Sequence, residues 1–101
     1  MKIAYIAHAV SGDVQGNIKK ICAIVRHINL TEPEVVPFVP YLSDIMAMGD
    51  ANPKERVRGI KNDKEFFTRK TMDEMRIYGK ITPGIENEIN EIEEATNEHR
   101  D

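Results

Sequence analysis

The periodicity of apolar residues changes within the first thirty residues, and this change restricts the folds open to the chain. Lys2–Ala7 is β-rich and apolar on both faces, as expected of a central strand covered on each side. Apolar residues then recur at helical spacing and predict one buried helix face, formed by Val14, Ile18, Ile21, Cys22, Val25 and Ile28. Thr31-Glu32-Pro33 should end this helix near Asn29.

The same succession of strand and helix patterns continues along the chain. Val35–Val39 is short, β-branched and bounded by prolines, and Pro37 inside it suits the end of a strand or an edge strand. Tyr41–Met48 predicts a short helix. Asn52 and Pro53 suit the cap and first position of another helix, which should run to about Arg69 and bury Val57, Ile60, Lys64 and Phe67.

The last third of the chain predicts one more strand and one more helix. Met72–Tyr78 alternates in the manner of a strand. Thr82 and Pro83 form a good cap and first turn, and a buried stripe should follow, made of Ile85, Ile89 and Ile92.

Strand and helix therefore alternate three times, which predicts an α/β fold with right-handed crossovers. We expect a three-layer α/β/α, Rossmann- or flavodoxin-like arrangement around a small parallel sheet of three to four strands. Residues 1–97 should form one domain and 98–101 a short polar tail. Such sheets bind ligands beyond the carboxyl ends of their strands, here His8–Asp13, Pro40–Asp44 and Gly79–Gly84.

Composition excludes several classes of protein. The chain is 41% hydrophobic and 31% charged, unlike a disordered chain, and no apolar run exceeds five residues, whereas a membrane span needs about twenty. A net charge of −3 gives no reason to expect nucleic acid as a partner. The single cysteine, Cys22, excludes an internal disulfide and a thiolate metal site. With no signal-peptide pattern at the N-terminus, we expect a cytoplasmic protein without a membrane, metal or cofactor requirement.

Charge is unevenly distributed along the sequence. Residues 54–70 carry seven basic side chains against three acidic ones, and residues 84–101 carry seven acidic side chains against Arg100 alone. Two solvated helix faces of opposite sign would explain this pattern. The alternative is a basic stretch that attracts a small anion such as phosphate.

Glu88 differs from the other glutamates of the last predicted helix. At about 100° per residue, it lies only about 50° from the middle of the apolar stripe, while its acidic neighbours lie about 90° or more away. It is also close to the loop after the third strand. One interpretation is a boundary glutamate paired with a lysine. The other is a nucleophile or general base with a tuned pKa.

The loop after the first strand offers further polar groups. Ser11 and Gly12 could present a hydroxyl and backbone N–H groups to a phosphate at a helix start, although no glycine-rich nucleotide fingerprint is present. His8 could be structural or exposed, and its sequence neighbours supply no partners for a metal ion.

Several segments together resemble the nucleoside 2-deoxyribosyltransferase-like superfamily, which includes many short bacterial and phage proteins. Ile3–Ala7 with Ser11-Gly12 and Asn17 resembles its first strand, loop and helix, and Val35–Asp44 its second strand and proline-containing loop. Met72–Gly79 is similar to its third strand. Thr82–Glu88 matches a small hydroxyl, then Gly84, then a glutamate four residues later.

This resemblance implies an enzyme that acts on the N-glycosidic bond of a nucleoside or nucleotide, by transfer or hydrolysis. Glu88 would be the catalytic nucleophile that attacks the anomeric carbon, with the chemistry of a retaining glycosidase. Residues in the matching motifs would bind the substrate: Tyr5, His8, Ser11, Gly12, Asn17, Asp44, Thr82 and Gly84. No cofactor is implied.

Two departures from the family pattern leave alternatives open. Active transferases usually carry an aspartate directly after the third strand, where this chain has Gly79-Lys80. This departure favours the alternative hypothesis of a non-catalytic protein that binds a nucleotide or an ADP-ribose-like ligand, for example to sequester a nucleotide signal. A third hypothesis, beside the enzyme and the binding protein, is a small interaction protein without a ligand site. The further strand usual in the family is also missing, and exposed sheet edges then predict a homo-oligomer.

Overall fold

The computed structural model describes residues 1–48, 52–80, 83, 85–86 and 89–90. Within these residues the chain forms, in order, β1 (Lys2–His8), α1 (Val14–Thr31), β2 (Val35–Phe38), α2 (Tyr41–Met48), α3 (Pro53–Thr68) and β3 (Glu74–Tyr78). The described residues from Pro83 to Asn90 are also helical. The predicted succession of strands and helices is therefore confirmed.

The three strands form one parallel sheet in the order β2-β1-β3. β1 is central: Lys2–Tyr5 pairs with Val35–Phe38, and Ala4–His8 pairs with Glu74–Tyr78. Asp73 extends the second ladder, because its carboxylate accepts from the backbone N–H of Ile3 at 2.7 Å. The predicted α/β fold with a small parallel sheet is confirmed, and its strand order is that of the first three strands of flavodoxin-like sheets.

Helices cover both faces of the sheet. On one face, Ala4 and Ile6 of β1 pack against Ile28 of α1 and Val35 of β2. On the other face, Tyr5 and Ala7 pack with Phe67 of α3 and with Ile85, and Tyr41 of α2 lies against this cluster. Because consecutive side chains of β1 point to opposite faces, the uninterrupted apolar sequence of this strand fills two cores.

The predicted face of α1 needs correction. The helix continues to Thr31, and the N–H of Glu32 caps it by donating to the carbonyl of Ile28. Ile21 and Ile28 are buried as predicted, and Ile24 packs against the core cluster that contains Ile28, but Cys22 is exposed. Residues 21, 24 and 28 follow the three- and four-residue spacing of one stripe, and Cys22 falls beside it.

The predicted face of α3 is wrong in part. Phe67 is buried, but Val57 and Ile60 are 66% and 59% exposed, and Lys64 is also exposed. Asp63 is buried in their place, one helical turn before Phe67. An apolar pattern alone would not bring a carboxylate into the core, since its burial requires polar partners. The observed face of α3 is therefore rotated relative to the predicted one.

Ion pairs join α1 to β3 at the amino edge of the sheet. Arg76 donates to both carboxylate oxygens of Glu32, at 2.7 and 3.0 Å, and to Glu74 at 2.7 Å. Lys2 pairs with Glu74 at 2.6 Å. The hydrogen bond from Arg76 lowers the pKa of Glu32, and those from Lys2 and Arg76 lower the pKa of Glu74. Both carboxylates also raise the pKa of Arg76.

In the part of the chain that the structure describes, no helix is both long and apolar enough to cross a membrane.

Candidate functional site

The strand order defines one crevice in the sheet. The chain leaves β1 toward β2 on one side, and β3 then lies on the other side of β1. In open parallel sheets, ligands bind beyond the carboxyl ends of the two strands where the connections diverge in this way. His8 at the end of β1 pairs with Tyr78 at the end of β3. The loops that follow these two strands therefore begin side by side.

His8 is half-buried at the start of this crevice. Its Nδ1 lies 2.6 Å from the carbonyl oxygen of Ala9, which can only accept, so Nδ1 carries the proton of this hydrogen bond. The other ring nitrogen, Nε2, faces the backbone of Gly79, where an added Cβ would lie 3.6 Å from it. With Nδ1 engaged in this way, Nε2 is the ring nitrogen that lies between the ends of β1 and β3.

The loop between β1 and α1 has a conformation fixed by its own residues. Gly12 has a φ of +99°, which favours glycine, and a Cβ at this position would meet no atom within 4 Å. Asp13 caps α1 by accepting from the N–H of Gly16 at 3.0 Å. Asn17 donates to the carbonyl of Val10 at 3.0 Å and to that of Ser11 at 3.5 Å. Asn17 thus acts on this loop from the first turn of the helix.

These features suit the binding of an anion at the start of α1. Ser11 and Gly12 are both exposed, and they immediately precede the cap of an 18-residue helix. The N-terminal end of a helix carries a partial positive charge, and backbone N–H groups there point toward a bound anion. The Asp13 carboxylate already accepts from the Gly16 N–H, so the loop can offer the Ser11 hydroxyl and the N–H groups before the cap, while the His8 ring lies near the end of β3.

Tyr5 lies in the core. Its side chain is fully buried, and its hydroxyl donates to Asp63 Oδ2 at 2.8 Å. This bond connects the central strand to α3 within the second core. The observed role of Tyr5 is to hydrogen-bond Asp63. The contact of Tyr5 with a substrate stays a prediction.

Asp44 lies in the first turn of α2 and faces α3. Its Oδ2 accepts from the side-chain amide of Asn62 at 3.2 Å, and the backbone of Gly59 is close to its Cβ. Tyr41, three residues earlier, donates to the carbonyl of Ile6 at 2.6 Å and so attaches α2 to β1. Asp44 therefore joins two helices, and its contact with a ligand stays a prediction.

Three predicted site residues, Thr82, Gly84 and Glu88, lie outside the described residues, as does the tail 98–101. The residues around Glu88 support the predicted stripe: Ile85 is 4% exposed in the second core, and Ile89 packs against that core. Glu86 is exposed, as expected for the opposite face.

Sequence reasoning missed Gly16, Tyr41 and Asp63. Asp63 lies four residues before Phe67, so its position on the Phe67 face could have indicated a buried carboxylate. A Cβ on Gly16 would collide with the Asp13 carboxylate, and a glycine three residues after a helix cap gives only a weak signal. Tyr41 gives none, because its bond to β1 depends on where α2 packs.

Among the described residues, no group of three or more His, Cys, Asp or Glu side chains could hold a metal ion. A protein family described as a domain of unknown function, DUF7768, matches residues 2–100. The chain belongs to the DUF7768 family. No curated protein and no solved structure matches this DUF7768 domain.

Proposed function

We propose that this DUF7768 domain binds a nucleoside or nucleotide in the crevice between the ends of β1 and β3 and cleaves its N-glycosidic bond. The juxtaposition of the His8–Asp13 loop with the end of β3 carries this proposal, since it is the position at which parallel sheets of this order bind ligands. The sequence resemblance to the nucleoside 2-deoxyribosyltransferase-like superfamily supplies the reaction, and Glu88 supplies the nucleophile.

In this reaction the Glu88 carboxylate attacks the anomeric carbon of the sugar. The bond from that carbon to the base nitrogen breaks, and the base leaves with the electron pair and takes up a proton from solvent; the water or base that enters in the second step returns a proton to solvent. A glycosyl ester on Glu88 results, and water or a second base then displaces the carboxylate. The exposed hydroxyl of Ser11 and the start of α1 would hold a phosphate of the substrate, while Asn17 positions the loop.

The test is base release from deoxynucleoside monophosphates, followed by chromatography. Glu88→Gln retains the shape of the side chain and removes its charge, and we expect turnover to fall by about a thousandfold or more. Glu86→Gln is the matched control, because Glu86 is two residues away and exposed, and it should retain full turnover. Equal turnover in the wild type and Glu88→Gln would contradict the role of Glu88.

A second function, ligand binding without catalysis, is favoured by Gly79. The position directly after β3 has a φ of +76°, a conformation that side-chain-bearing residues rarely adopt. An aspartate that orients the sugar from this position would be strained, and the chain has Gly79-Lys80 there. For a binder, calorimetric titration would detect a nucleotide or ADP-ribose while no base is released by the wild type or Glu88→Gln.

A further inference from the structure

The exposed face of α3 carries apolar side chains that do not pack in the core. Val57 and Ile60 are 66% and 59% exposed, and at about 100° per residue they lie within a roughly 100° sector that also contains Lys61 and Lys64. We call these four residues the α3 outer face. The buried face of the same helix, with Asp63 and Phe67, already packs on the sheet. The α3 outer face therefore points away from the sheet and does not contribute to the core.

This face combines apolar area with positive charge. Lys61 and Lys64 flank the two aliphatic side chains, and further exposed cations follow the same helix at Lys54, Arg56 and Arg58. Isolated exposed apolar residues are common, but two β-branched residues within one turn and surrounded by cations form a surface that suits an acidic segment.

The chain itself contains such a segment. Residues 91–101 carry five acidic side chains: Glu91, Glu93, Glu94, Glu98 and Asp101. Their charge is complementary to that of α3, since residues 54–70 carry seven basic side chains against three acidic ones. We propose that the α3 outer face of one copy binds residues 91–101 of a second copy. The contact made in both directions gives a two-fold symmetric dimer.

Light scattering of the purified chain tests the dimer. We expect twice the monomer mass of 11.5 kDa at low salt. At about 1 M salt, where the Debye length is about 3 Å, the pairs should be screened and dimerisation should weaken. A monomer at high protein concentration would overturn the proposal, whether residues 91–101 then bind α3 of their own copy or bind nothing.

Charge reversal tests the surface. Lys61→Glu/Lys64→Glu and, separately, Glu91→Lys/Glu94→Lys should each raise the dimer dissociation constant by about tenfold or more, because each double change brings the net charge of its own segment to zero and removes the attraction. Val57→Ser/Ile60→Ser should also weaken the dimer. Lys19→Glu/Lys20→Glu is the matched control: it changes the same charge on exposed residues of α1, on the opposite face of the sheet, and should leave dimerisation unchanged. Equal weakening by the control would overturn the proposal.

Mixing the two charge-reversed proteins tests both contacts together. Each variant alone pairs a neutralised segment with an unaltered one, but in a heterodimer one contact joins the two unaltered, oppositely charged segments and the other joins the two sets of exchanged charges. We expect the mixture to regain the dimer mass, and circular dichroism should show that each variant is folded, since exposed substitutions change stability little. A mixture that remains monomeric would overturn the pairing of α3 with residues 91–101. This test does not depend on any catalytic activity.

Discussion

At the scale of single residues, the Tyr5–Asp63 hydrogen bond is the polar contact that most distinguishes this core. The donor is fully buried on the central strand, and the acceptor is a buried carboxylate of α3. A buried polar group requires hydrogen-bond partners to replace water, so the tyrosine hydroxyl contributes to the stability of the α3 packing.

We expect Tyr5→Phe to lower the free energy of unfolding by about 1–3 kcal/mol, because the variant removes a donor from a buried carboxylate. Tyr41→Phe is the comparison, since the Tyr41 hydroxyl donates to a neutral carbonyl, and its loss should cost about 1 kcal/mol. Urea unfolding measures both. A larger decrease in the free energy of unfolding for Tyr41→Phe than for Tyr5→Phe would contradict the proposed contribution of the Tyr5–Asp63 hydrogen bond.

The position in the fold could be predicted for residues that directly follow a strand, whereas hydrogen-bond partners that are distant in sequence could not be predicted. His8, Ser11 and Gly12 follow directly from the end of a strand, and the structure brings them to the crevice. The partners of Tyr5 and Asp44 are 58 and 18 residues away, and no local pattern specifies them. Long-range packing decides such pairs.

At the scale of secondary structure elements, the Arg76 ion pairs fix β3 to the end of α1. The folded state lowers the pKa of Glu32 and Glu74 below their ordinary value of 4.5. Carboxylates of this kind stabilise the fold above the unfolded pKa, and the contribution is lost as the pH falls through the folded pKa.

Arg76→Met should therefore destabilise the protein at neutral pH, and the difference from the wild type should shrink as the pH falls below about 4, when the carboxylates become protonated. Denaturant unfolding at several pH values measures this convergence. Arg69→Met is the control, because Arg69 and Glu65 form an exposed pair with side chains 74% and 60% accessible and contribute little. A pH-independent effect of Arg76→Met would indicate lost packing instead.

Element positions were predictable, but helix rotation was not. The bounds of α2 agree with the predicted range, and Asn52 accepts from Lys54 and Glu55 as a predicted cap should. These features depend on local chemistry. The observed face of α3 places Phe67 in the second core and Asp63 against Tyr5, and this rotation leaves Val57 and Ile60 exposed.

At the scale of the whole molecule, the strand order places the start of α1 at the crevice, and the sequence alone did not specify that order. Parallel pairing depends on contacts between distant segments, and the alternating pattern is compatible with more than one arrangement. Only with β3 beside β1 do His8 and Gly79 come together.

A ligand that binds the folded state raises its melting temperature by mass action. We expect a nucleoside monophosphate to raise it more than the same nucleoside does, because Ser11 and the start of α1 suit a phosphate. Ser11→Asp should reduce this difference by placing a negative charge beside the phosphate, while Thr68→Asp adds the same charge at the end of α3 and should not. An equal rise in melting temperature with the nucleoside and with its monophosphate would contradict a phosphate site at the start of α1.

The proline in β2 makes the two borders of the sheet unequal. Lys2 donates to the carbonyl of Glu34, so even-numbered residues of β2 direct their backbone groups toward β1 and odd-numbered ones direct them outward. Pro37 is therefore on the outward side and offers no N–H there. A fourth strand could hydrogen-bond more completely beside β3 than beside β2. If relatives with longer sheets evolved from this architecture, the additions would be expected on the β3 side, next to the crevice.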